Sequence, residues 1–201
     1  MKIGILGTGN VARVLATAWS KAGHEITLGS RDPGSKTLDV PIKSVADTVQ
    51  WADVVVNATP GVVSLATLSA VDARLFAGKT LIDLANALTP EFNLAYPNSS
   101  LAQQLQAALP SARVVKTLNT GAMTLLAAPR RIGPSTVFLS GDDAGAKVET
   151  RGLLRDLGWS DDDVFDLGGI ESARAAEHYT FLAYALGGAL QTDAVNIRVV
   201  R

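Results

Sequence analysis

Three residues in the stretch LGSRDPGSK, namely Ser30, Arg31 and Lys36, could between them hold a phosphate. Serine offers a neutral hydroxyl, arginine a planar fork of donors, and lysine a mobile point charge. They lie about 20 residues beyond a glycine turn, where a dinucleotide-binding fold usually places one acid on the ribose hydroxyls. That turn, Gly7-Thr8-Gly9-Asn10-Val11-Ala12, fits G-x-G-x-x-G/A. Its glycines let bare backbone approach a pyrophosphate, and the helix behind it supplies unpaired N–H groups and a favourable dipole. An acid at the ribose position would repel a 2′-phosphate, whereas Ser30, Arg31 and Lys36 attract one. NADP(H) is therefore preferred over NAD(H). Two plainer readings stay open: a purely structural glycine turn, and Asp32 as a displaced ribose acid beside solvated loop charges. Asp32 precedes Pro33-Gly34, so turn formation also explains it.

The elements needed to position these residues arrive in the right order. Lys2–Leu6 reads as a buried strand, Asn10–Ala22 as a helix closed by Gly23, and His24–Leu28 as a second strand. Further strands are expected at Asp53–Ala58, Thr80–Leu84, Arg113–Leu118, Val137–Ser140 and Val164–Asp166. Helical patterns at Ser44–Trp51, Val62–Asp72, Ser99–Leu109 and Ala144–Leu157 separate them. Alternation of this kind argues for right-handed βαβ units. The expected fold class is α/β, a Rossmann-type doubly wound, mostly parallel sheet with a small C-terminal helix-plus-strand cap. The helix spans Glu171–Leu190, with Phe181, Leu182, Ala185, Leu186 and Ala189 on one apolar stripe. Val195, Ile197 and Val199 alternate with polar residues as a closing strand. Residues 1–165 form the expected nucleotide-binding domain, and 166–201 the cap packed on it as one unit.

In an open α/β sheet the ligand lies along the carboxyl ends of the strands. Small polar residues follow three of those ends: Ala58-Thr59-Pro60 after Asn57, Asn86 after Leu84-Ala85, and Asn119-Thr120-Gly121 after Leu118. Small side chains let a flat ring approach, and amides or hydroxyls can anchor a carboxamide; ordinary turn chemistry is the alternative. His178 falls on the last helix as a packed or hydrogen-bonded histidine, with general acid as the lesser reading. Arg174 and Glu177 are three apart and can pair with each other.

Bulk properties narrow the function classes. With 18 Lys+Arg against 19 Asp+Glu, the net charge of −1 gives no reason to expect nucleic acid or an anionic membrane. No cysteine and two histidines exclude thiol chemistry and make a metal site unexpected. No run approaches the ~18–20 apolar residues of a membrane span, and no signal-peptide pattern is seen, so a cytoplasmic protein is expected.

Together, GILGTGNVA, LGSRDPGSK, VVVNATPG, LIDLANALTP, VVKTLNT, LSGDDAGAK and ARAAEHYTFLAYALGG resemble the NADPH-dependent F420 reductase family (F420H2:NADP oxidoreductases). The cofactor domain of pyrroline-5-carboxylate reductases is a more distant likeness. The resemblance implies that Thr8, Gly9, Asn10 and Val11 hold the pyrophosphate and that Ser30, Arg31 and Lys36 hold the 2′-phosphate. It places Asn119, Thr120, Gly121 and Ala122 near the reacting rings, with coenzyme F420 as co-substrate. Hydride transfer between two cofactors needs position more than acid–base groups, which suits a sequence with no evident catalytic dyad. An NADPH-dependent reductase of another small acceptor (imine, ketone or flavin) is the alternative, and a non-catalytic dinucleotide-binding module the third. A small-molecule redox substrate is the expected partner, and the apolar last helix makes a homodimer plausible.

Overall fold

The computed structural model describes residues 1–35, 37–131 and 133–200. Eight strands form one sheet: β1 (Lys2–Leu6), β2 (Glu25–Ser30), β3 (Ile42–Ser44), β4 (Val54–Asn57), β5 (Thr80–Asp83), β6 (Arg113–Thr117), β7 (Val137–Ser140) and β8 (Val164–Asp166). Their order is β3-β2-β1-β4-β5-β6-β7-β8. Every neighbouring pair is parallel except β6 and β7. The chain builds outward from β1 in one direction and then from β4 in the other, so the switch point lies between those two strands. That is where a doubly wound sheet opens a crevice.

Helices α1 (Asn10–Lys21), α2 (Val45–Trp51), α3 (Gly61–Ser69), α4 (Leu101–Ala108), α5 (Met123–Leu126), α6 (Ala144–Asp156) and α7 (Ala173–Leu190) connect or cap the strands. Alternate strand residues feed opposite faces of the sheet. Ile3, Ile5, Val54, Val56, Ile82 and Val115 pack with Trp19 of α1 and Leu153 of α6. Leu6, Val55, Leu81 and Val114 pack with Val49, Leu68 and Leu105 of α2, α3 and α4 on the other side. Trp19 also donates its indole N–H to the Leu153 carbonyl at 3.1 Å, fixing α1 against α6.

The C-terminal region differs from its expected form in three ways. Residues 193–200 hold a bend at Asp193 and no strand, so the expected closing strand is absent among the described residues. The segment instead runs beside Thr136, whose N–H donates to the Ile197 carbonyl at 2.8 Å and whose hydroxyl accepts from Val199 N–H at 3.0 Å. One residue thus tethers it where a ladder would need several. Secondly, the expected apolar stripe of α7 does not enter the core: Leu182 is 51% exposed, and Ala185 and Ala189 are also exposed. The buried residues of α7 are Ala173, Ala176, Glu177 and Thr180, so only its first half docks. Finally, Glu177 is not paired with the exposed Arg174; it turns inward to Lys116. Among the described residues no helix is long and apolar enough to cross a membrane.

Candidate active site

The glycine turn between β1 and α1 is shaped by close backbone approach. Gly7 has φ +121, and a Cβ there would sit 2.7 Å from the Ala58 carbonyl oxygen at the end of β4. Only glycine fits that position. Gly9 caps α1 through ordinary extended backbone, no side chain caps the helix, and a Cβ on Gly9 would meet nothing within 4 Å. The first turn of α1 holds no acid, so no carboxylate there offsets the positive end of the helix dipole. Ala12 is fully buried, as the close packing of α1 on the sheet requires. Thr8 and Val11 are half-buried and Asn10 exposed around the same turn.

Ser30 ends β2, and its hydroxyl accepts from Asp32 N–H at 3.1 Å. The Asp32 carbonyl in turn accepts the Ser35 hydroxyl at 2.8 Å. Asp32 therefore sits in a tight turn, as its neighbours Pro33 and Gly34 suggested. Arg31 is exposed on that loop, beside the glycine turn of α1, since β1 and β2 are paired neighbours. Lys36 lies outside the described residues.

At the end of β4, Ala58 and Thr59 are half-buried and Pro60 is exposed. The Thr59 hydroxyl donates to Asn57 Oδ1 at 2.7 Å and meets Ser64 Oγ at 2.8 Å, so it braces its own turn. A Cβ on Gly61 would overlap the Asn86 carbonyl, which draws the β4 and β5 ends together. Leu118, after β6, takes a left-handed φ of +53, a strained conformation costing roughly 1–3 kcal/mol for a non-glycine residue. This kink swings Asn119–Ala122 into the crevice. There Asn86 Nδ2 donates to the Asn119 carbonyl at 2.8 Å, and Asn119 Nδ2 returns a bond to Asn86 Oδ1 at 2.9 Å.

Beyond this amide pair lies a cavity of about 400 Å³, at the small end of ordinary ligand sites. Asn86, Asn119, Thr120, Gly121 and Ala122 form one wall. Thr180, Ala183, Tyr184, Gly187 and Gly188 of α7 form another, and Thr192, Asp193 and Val195 close the mouth. The tail reaches this mouth because Gln191 ends α7 at φ +55 and Thr192 N–H bonds back to the Gly187 carbonyl at 3.1 Å. A Cβ on Gly187 would stand 3.0 Å from the Thr192 carbonyl oxygen, so Gly187 makes room for this return, whereas a Cβ on Gly188 would meet nothing within 4 Å. His178 does not line the cavity. It is exposed and donates Nε2–H to the Pro97 carbonyl at 3.0 Å.

Directly behind the site is a buried charge cluster that sequence reasoning missed. Lys116 Nζ lies 2.8 Å from Asp83 Oδ2 and 2.9 Å from Glu177 Oε1, all three side chains being 0–1% exposed. It also donates to the Ala85 carbonyl. Asp83 Oδ1 accepts from Asn57 Nδ2 at 2.8 Å, and Glu177 accepts from the first N–H groups of α4 at 3.0 and 3.4 Å. Burial alone would lower the Lys116 pKa, but the two carboxylates and their hydrogen bonds outweigh it and raise the value. The cluster joins β4, β5, β6, α4 and α7 behind the crevice. Its signal was in the sequence: Asp83 and Lys116 each interrupt an otherwise apolar strand run, and charges so placed need partners.

Residues 2–87 match the family model described as NADP oxidoreductase, coenzyme F420-dependent. Over its whole length the chain is similar to a proposed F420-dependent NADP reductase from Arthrobacter sp. fb24. The two share 42% identity and a TM-score of 0.95, with 100% of both chains covered. The chain is also 31% identical over 182 residues to the metalloreductase STEAP3 of Rattus norvegicus, a stretch that is 88% of this chain but only 36% of that protein. Pyrroline carboxylate reductase of Plasmodium falciparum with NADP bound matches at a TM-score of 0.61 and 13% identity. That match covers 95% of this chain and 70% of the other, and is a likeness of fold alone. The full-length match bears out the resemblance carried by GILGTGNVA and its companion motifs, and the family model agrees with it over residues 2–87: the chain belongs to the coenzyme F420-dependent NADP oxidoreductase family.

Proposed function

We propose that this enzyme transfers a hydride between NADPH and the deazaflavin of coenzyme F420, with the two flat ring systems meeting at the cavity beside Asn119–Ala122. When bound, NADPH supplies the hydride from C4 of its nicotinamide, and the proton that completes the reduction comes from solvent. The observation that carries the reading is the cavity's lining. It is built of small, neutral residues, and among the described ones only Tyr184 and Asp193 can ionise. Such a wall can press two rings to the ~3–3.5 Å needed for direct transfer, yet offers no embedded acid for an unactivated ketone.

The residues then divide by role. The open N-terminus of α1, with the backbone of Gly7, Thr8, Gly9, Asn10 and Val11, holds the pyrophosphate. Ser30, Arg31 and Lys36 hold the 2′-phosphate, Arg31 by a two-pronged contact. Ala58, Thr59 and Pro60 line the approach from β4. Asn86, Asn119, Thr120, Gly121 and Ala122 position the rings and keep water from between them.

Anaerobic stopped-flow absorbance with NADPH and oxidised F420 tests this. The expected result is saturable loss of deazaflavin absorbance. In R31A the KM for NADPH should rise about 10–100-fold, the range for losing a charge-assisted bond of ~1.5–3 kcal/mol. If NADPH binds but F420 stays oxidised, the acceptor is another small molecule. An unchanged KM in R31A removes the phosphate assignment.

A further inference from the structure

Three buried polar atoms at the cavity have no partner among the described residues: Asn119 Oδ1, Thr120 Oγ1 and Thr180 Oγ1. All three residues line the cavity, and they are only 6%, 1% and 3% exposed. Folded proteins rarely leave such atoms unmatched, because each has given up water for nothing. Three in one cavity describe the complement of a ligand.

Their chemistry can be read individually. Asn119 donates both Nδ2 hydrogens, one to Asn86 Oδ1 and one to the Ala176 carbonyl, each at 2.9 Å. Its amide orientation is thereby fixed, and Oδ1 is left as a pure acceptor. A helical threonine commonly donates its hydroxyl to the carbonyl four residues earlier. For Thr180 that carbonyl belongs to Ala176, which already accepts from Asn119, and the Thr180 hydroxyl makes no bond to it. Thr120 and Thr180 each bring a hydroxyl that can donate one hydrogen bond and can also accept. The set is one pure acceptor and two hydroxyls, without charge. Its natural match is a neutral edge with an N–H beside carbonyl oxygens, as in an amide or ring imide.

We propose that Asn119, Thr120 and Thr180 form a neutral clamp that reads an amide or imide edge of the hydride acceptor, with Thr180 as the residue that selects it. The proposal rests on the hydride-transfer reading of this cavity. The nicotinamide carboxamide carries the same chemistry. The acceptor is favoured because Thr180 belongs to α7, together with the Ala183, Tyr184 and Gly187 wall, and no residue of the β1–α1 turn lines this cavity.

The test is ligand-observed NMR titration of the NADP⁺-saturated protein with uracil, a bare imide edge, and with 1,3-dimethyluracil, the same ring without N–H. Uracil should bind about tenfold or more tightly than its dimethyl analogue. T180V, which keeps the shape and removes the hydroxyl, should abolish that preference, while T180S retains it. NADP⁺ affinity should not change in T180V, and its melting temperature should not fall, since no bond is broken inside the protein. Equal binding of the two probes, no detectable uracil binding, or an unaltered preference in T180V overturns the clamp. A melting temperature well below wild type does so too, by revealing a structural partner. Loss of NADP⁺ affinity with uracil binding intact assigns the edge to the cofactor instead and also overturns it. F420 turnover is read separately: its failure with the uracil preference intact sinks the F420 acceptor and leaves the clamp standing.

Discussion

At the scale of single residues, the two glycines of the β1–α1 turn make different demands. Gly7 is held by a positive φ and by the Ala58 carbonyl 2.7 Å from its missing Cβ, whereas Gly9 has ordinary backbone and free space around it. G7A should therefore destabilise the fold by about 1–3 kcal/mol, with a thermal midpoint lower by several degrees. G9A should melt like wild type yet bind NADP⁺ about tenfold more weakly, because its methyl would occupy the path of the pyrophosphate. Thermal melts with and without NADP⁺ separate the two. A G9A variant that binds normally would place the pyrophosphate elsewhere. This contrast was only half legible in the sequence. The motif announced the turn, but which glycine the fold itself requires depends on Ala58, about fifty residues away along the chain. The inward bonding of the Thr59 hydroxyl depends likewise on where Asn57 and Ser64 meet it in space.

At the scale of elements, apolar periodicity identified most strands and helices to within a residue or two, because Ile3, Ile5, Leu15 and Trp19 repeat with the period of the structure they form. It failed where burial does not follow hydrophobicity. β3 has only three half-buried residues, Ile42–Ser44, too few to show a pattern. On α7 the buried set includes a glutamate and a threonine, while Leu182 stays out. The reason is Lys116, a cation inside the sheet that draws Glu177 and the first half of α7 inward. K116M should cost about 3–5 kcal/mol, since it strands two buried carboxylates. The triple variant D83N/K116M/E177Q should recover much of that loss. The pH dependence has a definite sign. The folded pKa of Lys116 lies above its ordinary value of 10.5, so its stabilisation is fully present below that value and disappears only as pH climbs through the raised one. Urea midpoints of wild type and the triple variant should thus keep a constant gap from about pH 6 to 9. A gap that narrows over this range would mean that another group titrates in the cluster.

At the scale of the whole molecule, the proposed nucleotide half and the proposed acceptor half are built from different parts of the chain. The β1–α1–β2 unit forms the glycine turn and leads into the loop proposed to hold the 2′-phosphate, and among the described residues no hydrogen bond ties either to the C-terminal residues. The cavity, by contrast, takes Asn119–Ala122 from the middle of the sequence, one wall from α7 and its mouth from Thr192, Asp193 and Val195. The last residues matter here although they form no strand: Val195 is 9% exposed, and its carbonyl oxygen lies 3.5 Å from where a Gly121 Cβ would be. Outside this mouth the tail is held mainly by its bonds to Thr136, so removing it should leave the sheet intact. A chain ending at Gln191 should therefore bind NADP⁺ within about threefold of wild type by fluorescence titration. Its steady-state transfer to F420 should fall about tenfold or more, because an open mouth admits water and loosens the ring stack. Loss of NADP⁺ binding in a truncated chain that still melts cooperatively would show that the tail serves the nucleotide, and that the two halves are not separable. Unchanged turnover would show that the stack needs no mouth, leaving Asn119–Ala122 and α7 to hold it alone.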